Sequence, residues 1–410
     1  MVDPDSNAGE PFVPSTGNFR GPSSLFADRQ GVDDDPDART TDYLVEWASR
    51  ATDFAVDALD GERVTLFFDE NEPLRDPTRY LAYARYDADG DGERETLYNR
   101  QTIEEGYARA YGSTHSRHDE FWAAERAARE AGLGVWTESD VSAASPYREQ
   151  HAQQDGDGLV YDAPPLFGVD TDAGVALGGG LIVDESYERL EGFDVDTAGF
   201  ANFAFLSTVI DALAGPDADG PVYIDGGHGQ FGVDYALSSE DAAYYQRHLE
   251  GRGIGFEQLN DLTLDRLSEA RALVVTTPVS ALSDAELDAV RSFRDDGGAV
   301  VLLGTAAAPD DATDNLNAVA DALDSDLRVG DVRVTDPVNN VADDPALVTT
   351  DEIDAVSLFG AVFDDGNGEI DFGEVSDVIA EYNADDGNVT FDDVVEIVRQ
   401  YNATGDWPSL

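Results

Sequence analysis

The chain has 410 residues, with 86 acidic side chains against 25 basic ones and a formal net charge of −61 at pH 7. Every basic residue is an arginine, there is no cysteine, and the one methionine opens the chain. Disulfide scaffolds, cysteine–zinc and iron–sulfur sites, a cysteine nucleophile and nucleic-acid binding through a broadly basic surface are thereby excluded.

Residues 1–40 are rich in Pro, Gly, Ser and Asp and read as a loop. From Asp42 to Leu59 the residues Tyr43, Leu44, Trp47, Ala48, Ala51, Phe54, Ala55 and Ala58 recur at three- and four-residue spacings, which predicts a helix with one apolar face. Arg63 to Phe68 and Tyr80 to Tyr86 are β-branched or aromatic and predict strands, the second closed by a turn at Asp87 to Gly92. A short helix over Arg100 to Gly106 and an amphipathic one over Ser116 to Ala131 follow. Residues 137–157 are polar and mark a linker. Beyond Leu159, strands at Pro221 to Asp225, Ile254 to Leu259, Ala272 to Thr277 and Ala299 to Gly304 alternate with helices at Ser239 to Glu250, Leu262 to Ala270 and Ser283 to Asp295. That alternation predicts a doubly wound, flavodoxin-like α/β domain with a parallel sheet. Gly178-Gly179-Gly180 lacks the strand–glycine loop–helix setting of a dinucleotide site and reads as a turn.

The last sixty residues repeat. Ile370, Phe372, Val375, Val378, Ile379, Tyr382 and Asn383 recur 19 positions later as Val389, Phe391, Val394, Ile397, Val398, Tyr401 and Asn402. Each unit is an Asp/Gly/Asn-rich loop followed by one helix. The expected organisation is therefore multidomain: a loop start at 1–40, a first domain at 41–137, a linker at 138–158, an α/β domain at 159–350 and a helical repeat at 351–410.

Thr41 to Trp136 resembles the C-terminal part of the staphylococcal nuclease domain, an OB-like β-barrel with helices. The resemblance is carried by Ala51 to Phe68, Arg75-Asp76-Pro77-Thr78-Arg79-Tyr80-Leu81-Ala82-Tyr83, Leu97-Tyr98-Asn99, Glu105-Gly106-Tyr107-Ala108-Arg109, and Ala123 to Arg129 with Gly134-Val135-Trp136. It implies calcium-dependent phosphodiester hydrolysis, in which a divalent ion polarises the phosphoryl group and arginines stabilise developing charge. Arg79 takes the place of the family's second catalytic arginine, although Tyr80 stands where glycine is usual; a surface arginine paired with acids is the alternative. The barrel is partial. The family's first three strands have no counterpart among these residues, unless Val2-Asp3-Pro4-Asp5 preserves a remnant. Asp3 then matches a metal ligand and Asp5 stands in for the catalytic glutamate; an acidic loop is the other reading. A remnant of that kind implies that this start lies within a longer gene.

The second domain resembles glutamine-amidotransferase-like sheets, through Pro221 to Gly229, Val274 to Pro278 and Gly297 to Gly304. Without cysteine that family's chemistry is absent. What remains is a ligand cleft at the carboxyl ends of the strands, holding Asp225, His228 and Thr277; a turn histidine satisfied by local backbone is the rival. The C-terminal repeat resembles dockerin and EF-hand modules. With Glu374 as the twelfth position, Asp365, Asn367 and Asp371 become candidate calcium ligands, and Asp364 replaces the first position in a shortened loop. A helix pair whose polar residues cap and turn is the alternative. Asp87 to Gly92 imitates a calcium loop too, but Tyr98 at its twelfth position favours a hairpin turn.

Together these expectations describe an extremely halophilic, archaeal-type protein. Its acidity suits molar salt, where the Debye length is about 3 Å. Hydrophobic residues make up 41% of the chain, which argues against disorder. An exported protein is expected, toward which the Asn388 and Asn402 sequons lean, although no signal peptide and no membrane span is visible. Nucleic acid is the expected substrate, with calcium as cofactor and a protein partner for the tail. The rival is a non-catalytic binding or assembly protein.

Overall fold

The structure is a computed structural model describing residues 41–71, 74–76, 79–110, 115–139, 141, 157–159, 166–171, 173–180, 202–214, 219–229, 239–305, 308–340, 343–346, 348–349, 370–384 and 391–403. Helix α1 (Thr41–Leu59) presents a stripe of small buried residues, Ala48, Ala51, Ala55 and Ala58. Their size lets the helix lie close to its neighbours. Beside the stripe Phe54 stacks on Tyr107, with ring centroids 4.8 Å apart, and on Tyr98 at 5.8 Å.

A three-stranded antiparallel sheet follows, in the order β1 (Thr65–Phe67), β4 (Tyr83–Tyr86), β5 (Thr96–Leu97). The strand expected over Tyr80 to Tyr86 is divided. β3 (Arg79–Tyr80) folds back on β2 (Arg75–Asp76), whereas β4 pairs with β1, Thr65 opposite Arg85 and Phe67 opposite Tyr83. Asn99 holds the break: its amide oxygen accepts from Ala84 N at 2.9 Å and its amide nitrogen donates to Ala82 O at 3.3 Å.

Helices α2 (Tyr98–Glu104) and α3 (His118–Glu130) complete this part, with a 3-10 turn at Gly134–Thr137. Backbones cross there at contact distance. A Cβ on Gly106 (φ +70°) would lie 2.3 Å from Leu133 O, and one on Gly134 (φ +58°) 2.3 Å from Gly106 O. Only glycine satisfies both the positive φ and the approach.

The larger sheet has six strands in the order β10 (Phe256–Leu259), β9 (Val222–Asp225), β11 (Ala272–Thr276), β12 (Ala299–Leu303), β8 (Val175–Gly178), β7 (Phe167–Asp170). The four expected strands run parallel and β8 joins them as a fifth, but the sheet is mixed, because β7 is antiparallel to β8. The reason is geometric: only residues 171–174 join the two, and a parallel return needs a dozen residues or more. A separate pair joins β6 (Asp157–Leu159) to β13 (Val329–Arg333).

Alternation along each strand divides the core. Val222, Ile224, Ala272, Val274 and Val301 face one layer, which includes α4 (Asn202–Ala214) and α5 (Ser239–Gly251). Tyr223, Leu273, Val275, Val300 and Leu302 face the other, with α7 (Asp284–Asp295) and α8 (Asp310–Ala322). The helix expected over Leu262 to Ala270 is the single turn α6 (Leu264–Leu267). The first layer also contains Tyr83, Leu97, Ile103, Phe121 and Trp122, so the small sheet and α3 share a core with the large one.

At the C-terminus α9 (Phe372–Ala384) and α10 (Phe391–Ala403) pack through Val375, Val378 and Ile397 with Ile370. The helix pair is present; the loop residues Asp364, Asp365 and Asn367 lie outside the described residues. No described helix is long and apolar enough to cross a membrane.

Candidate active site

Arg79 sits in the β2–β3 hairpin, its backbone paired with Asp76. Beside it Tyr80 and Phe68 are half exposed with ring centroids 6.4 Å apart, and Leu66 and Leu74 are exposed as well. Asp3 and Asp5 lie outside the described residues. Asp69, just past β1, has a positioning role. Its carboxylate accepts from Ser116 N at 2.8 Å, Ser116 Oγ at 2.7 Å and Tyr83 OH at 2.7 Å, tying β4 to the start of α3. Burial raises its pKa, but these hydrogen bonds outweigh burial and hold it below the usual value.

The turn at Asp87 to Gly92 brings carboxylate oxygens of Asp87, Asp89 and Asp91 within 4.8 Å of one another. Asp87 accepts from Gly92 N and Gly90 N, both at 2.8 Å, and these bonds lower its pKa. The turn is the hairpin connection expected, and its donor set is of the hard oxygen type that calcium prefers.

Between the two sheets lies a buried ion network. Arg109 is fully buried and donates to Glu125 at 3.2 Å and to Glu250 of α5 at 3.2 Å. Arg129 donates to the same two carboxylates at 2.5 and 2.6 Å, and its guanidinium lies over the Trp136 ring. Further along the seam Arg126 and Arg266 share Glu257, while Asn260 accepts from His118 N and donates to His115 O. Arg109, Arg126 and Arg129 are thus committed to intramolecular acids.

Asp225, His228 and Thr277 do converge at the carboxyl edge of the large sheet. Asp225, fully buried at the end of β9, accepts from Gly227 N at 3.0 Å and lies 2.9 and 2.8 Å from His228 Nδ1 through its two oxygens. Thr277 Oγ1 donates to Leu303 O at 3.3 Å, and the His228 carbonyl accepts from Val279 N at 2.8 Å. Sequence reasoning passed over Glu286, whose Oε2 lies 3.5 Å from His228 Nε2. Its signal was present: Ser283 and Glu286 form the Ser-x-x-Glu capping box of α7. Burial disfavours the charged imidazole, but the hydrogen bond and charge of Asp225, with Glu286, lift its pKa above the ordinary value.

In the tail, Asp371 and Glu374 bond reciprocally. Asp371 N donates to Glu374 Oε2 at 2.8 Å and Glu374 N to Asp371 Oδ1 at 3.0 Å. Both side chains cap α9, as the capped-helix alternative has it.

Residues 30–138 match the family model described as Staphylococcal nuclease homologue. An uncharacterized protein of Methanocaldococcus jannaschii is 36% identical over 101 residues, which make up 24% of this chain and 47% of the relative. The chain thus spans about half the length of that curated relative. No solved structure matches it. The chain carries a staphylococcal nuclease-like domain at residues 30–138, joined to a larger mixed α/β sheet.

Proposed function

We propose that the chain is a calcium-dependent nuclease that hydrolyses phosphodiester bonds of nucleic acid. The observation that supports this reading is the family match over 30–138; Arg79, on the β2–β3 hairpin, is carried over from the sequence resemblance alone. Arg79 is assigned to the phosphate: a guanidinium fork donates to two oxygens at once and keeps its charge at any working pH. Asp3 is carried over as a calcium ligand and Asp5 as the water-positioning acid. Asp87, Asp89 and Asp91 are a further group whose hard oxygens suit the same ion. When bound, calcium supplies positive charge against a phosphoryl oxygen. The tail, with Asp364, Asp365, Asn367, Asp371 and Glu374, is assigned to calcium-supported docking of a protein partner, in an exterior, high-salt setting.

The test is cleavage of DNA and RNA in multimolar salt with calcium. The wild type cuts, a chelator stops it, and Arg79→Ala loses a factor of about 100 to 1000. If the wild type cuts neither polymer, the nuclease reading fails. The second reading, a non-catalytic binding protein, is favoured by one feature: α3 is a covering layer of the large sheet, with Trp122 against Phe256 at 6.0 Å.

A further inference from the structure

Acids outnumber arginines 86 to 25, so a guanidinium group without an acidic partner is unexpected in this chain. Elsewhere arginines do meet carboxylates, on exposed helix faces (Arg50, Arg100, Arg291) as well as in the seam (Arg109, Arg126, Arg266). Arg63, Arg85 and Arg94 depart from this. Among the described residues none of the three has a carboxylate within ion-pair distance.

All three belong to one patch of the small sheet. Arg85 of β4 stands directly opposite Thr65 of β1, so the two side chains share a face. Arg94 reaches the same place from the segment before β5, its Nε donating to Thr65 Oγ1 at 3.1 Å. Arg63 lies two positions before Thr65, the spacing that returns a side chain to one face of an extended chain. The Arg85 guanidinium rests over the Phe67 ring, 5.3 Å from its centroid, which steadies the group without neutralising it. Arg63 and Arg85 are exposed and Arg94 is half-buried. No nitrogen of Arg85 and neither terminal nitrogen of Arg94 donates to a described residue.

The acids closest in sequence are engaged elsewhere. Between Arg85 and Arg94, Asp87 accepts from Gly90 N and Gly92 N at 2.8 Å, Asp89 from Asp91 N at 3.3 Å, and Asp91 from Glu93 N at 2.8 Å. The turn thus holds these carboxylates on its own backbone. Exposed Glu62, Glu93 and Glu95 flank the patch without pairing to it. In about 1 M salt the Debye length is about 3 Å, so acids beyond contact are screened while direct bonds to a ligand persist.

We propose that Arg85 and Arg94, with Arg63 beside them, bind a phosphate group of the nucleic-acid backbone, on a different hairpin from Arg79. Guanidinium groups suit that ligand because they place parallel N–H donors on two phosphate oxygens and stay charged. A contact of this kind positions the polymer and carries no base preference. It is a local patch, compatible with a chain whose surface as a whole is acidic. The choice of nucleic acid rests on the nuclease reading; the phosphate chemistry rests on the arginines.

The experiment follows binding of a fluorescein-labelled single-stranded DNA to the full-length protein by anisotropy, in EDTA and over a series of KCl concentrations. Thermal unfolding of each variant across the series verifies an intact fold. Arg85→Gln and Arg94→Gln are each expected to weaken binding about tenfold. Each should also reduce the slope of log affinity against log salt by about 0.7 to 1. Arg85→Lys, which keeps the charge, is expected to retain the wild-type slope. Arg100→Gln removes an exposed arginine already paired with Glu104 and Glu120, and is expected to bind as the wild type does. The proposal is overturned if both glutamine variants match the wild type in affinity and slope, or if Arg100→Gln weakens binding equally. It is also overturned if the wild type binds no DNA, whether or not titration calorimetry detects uptake of inorganic phosphate. DNA bound with the expected slopes but never cut with calcium defeats the nuclease reading alone. DNA cut, with slopes unchanged in the variants, defeats the phosphate site alone.

Discussion

Arg109 and Glu250, 141 positions apart in sequence, form a buried two-point ion pair that joins the nuclease-like domain to the helix layer of the large sheet. Arg129 and Glu125 close the network, so two guanidinium groups face two carboxylates with little solvent to screen them. Removing one partner strands a buried charge. Arg109→Met or Glu250→Gln alone is expected to destabilise the protein by about 3–5 kcal/mol. The double replacement recovers part of that loss, which denaturant unfolding of the three variants measures.

His228 gives stability a dependence on pH above its unfolded pKa. Its folded-state pKa lies above the unfolded value, so its contribution is complete below the unfolded pKa of about 6.5 and is lost as pH rises through the folded one. The difference in stability between wild type and His228→Gln is expected to shrink over that rise. A difference that stays constant across neutral and mildly alkaline pH contradicts the ion-pair assignment.

Asp69 acts at the opposite end of the scale. Its pKa is depressed, so the stability it contributes is present above the unfolded pKa of about 3.9 and disappears as pH falls through the folded value. Asp69→Ala removes the acceptor shared by exposed Ser116 and part-buried Tyr83, at a cost of about 0.5–1.5 kcal/mol near neutrality. Thermal midpoints of wild type and variant should converge in acid.

Gly106→Ala tests the crossing of two backbones. Strain from φ +70° alone is about 1–3 kcal/mol, and the clash with Leu133 O adds to it. The measured loss should exceed that of Gly92→Ala, a glycine of similar φ (+93°) with open space around its missing Cβ. Equal losses in the two variants would mean that the crossing relaxes at no expense.

The parallel strands were legible in the sequence because they are buried on both faces and read as continuous apolar runs, Ala299 to Leu303 above all. Asp225, His228 and Thr277 were legible for a topological reason, since strand ends in such sheets converge on one edge. The β7–β8 hairpin was missed: Val175 to Gly178 is a short run with no polar alternation, and its partner contains glycine. The division of Tyr80 to Tyr86 depends on Asn99, a side chain thirteen or more positions away, which no local pattern reveals. The seam was equally invisible, since Arg109 and Arg126 meet Glu250 and Glu257 more than a hundred positions away.

The shared α3 also orders events during synthesis. Its apolar side, Phe121 and Trp122, is covered in part by strands and helices encoded more than a hundred residues later. At about 5–20 residues per second, a ribosome takes roughly 7–30 seconds to travel from Arg109 to Glu250. Through that interval the nascent nuclease-like segment holds an uncovered tryptophan and a guanidinium awaiting its second carboxylate. Chain growth, rather than the segment's own collapse, decides when this part of the protein finishes folding.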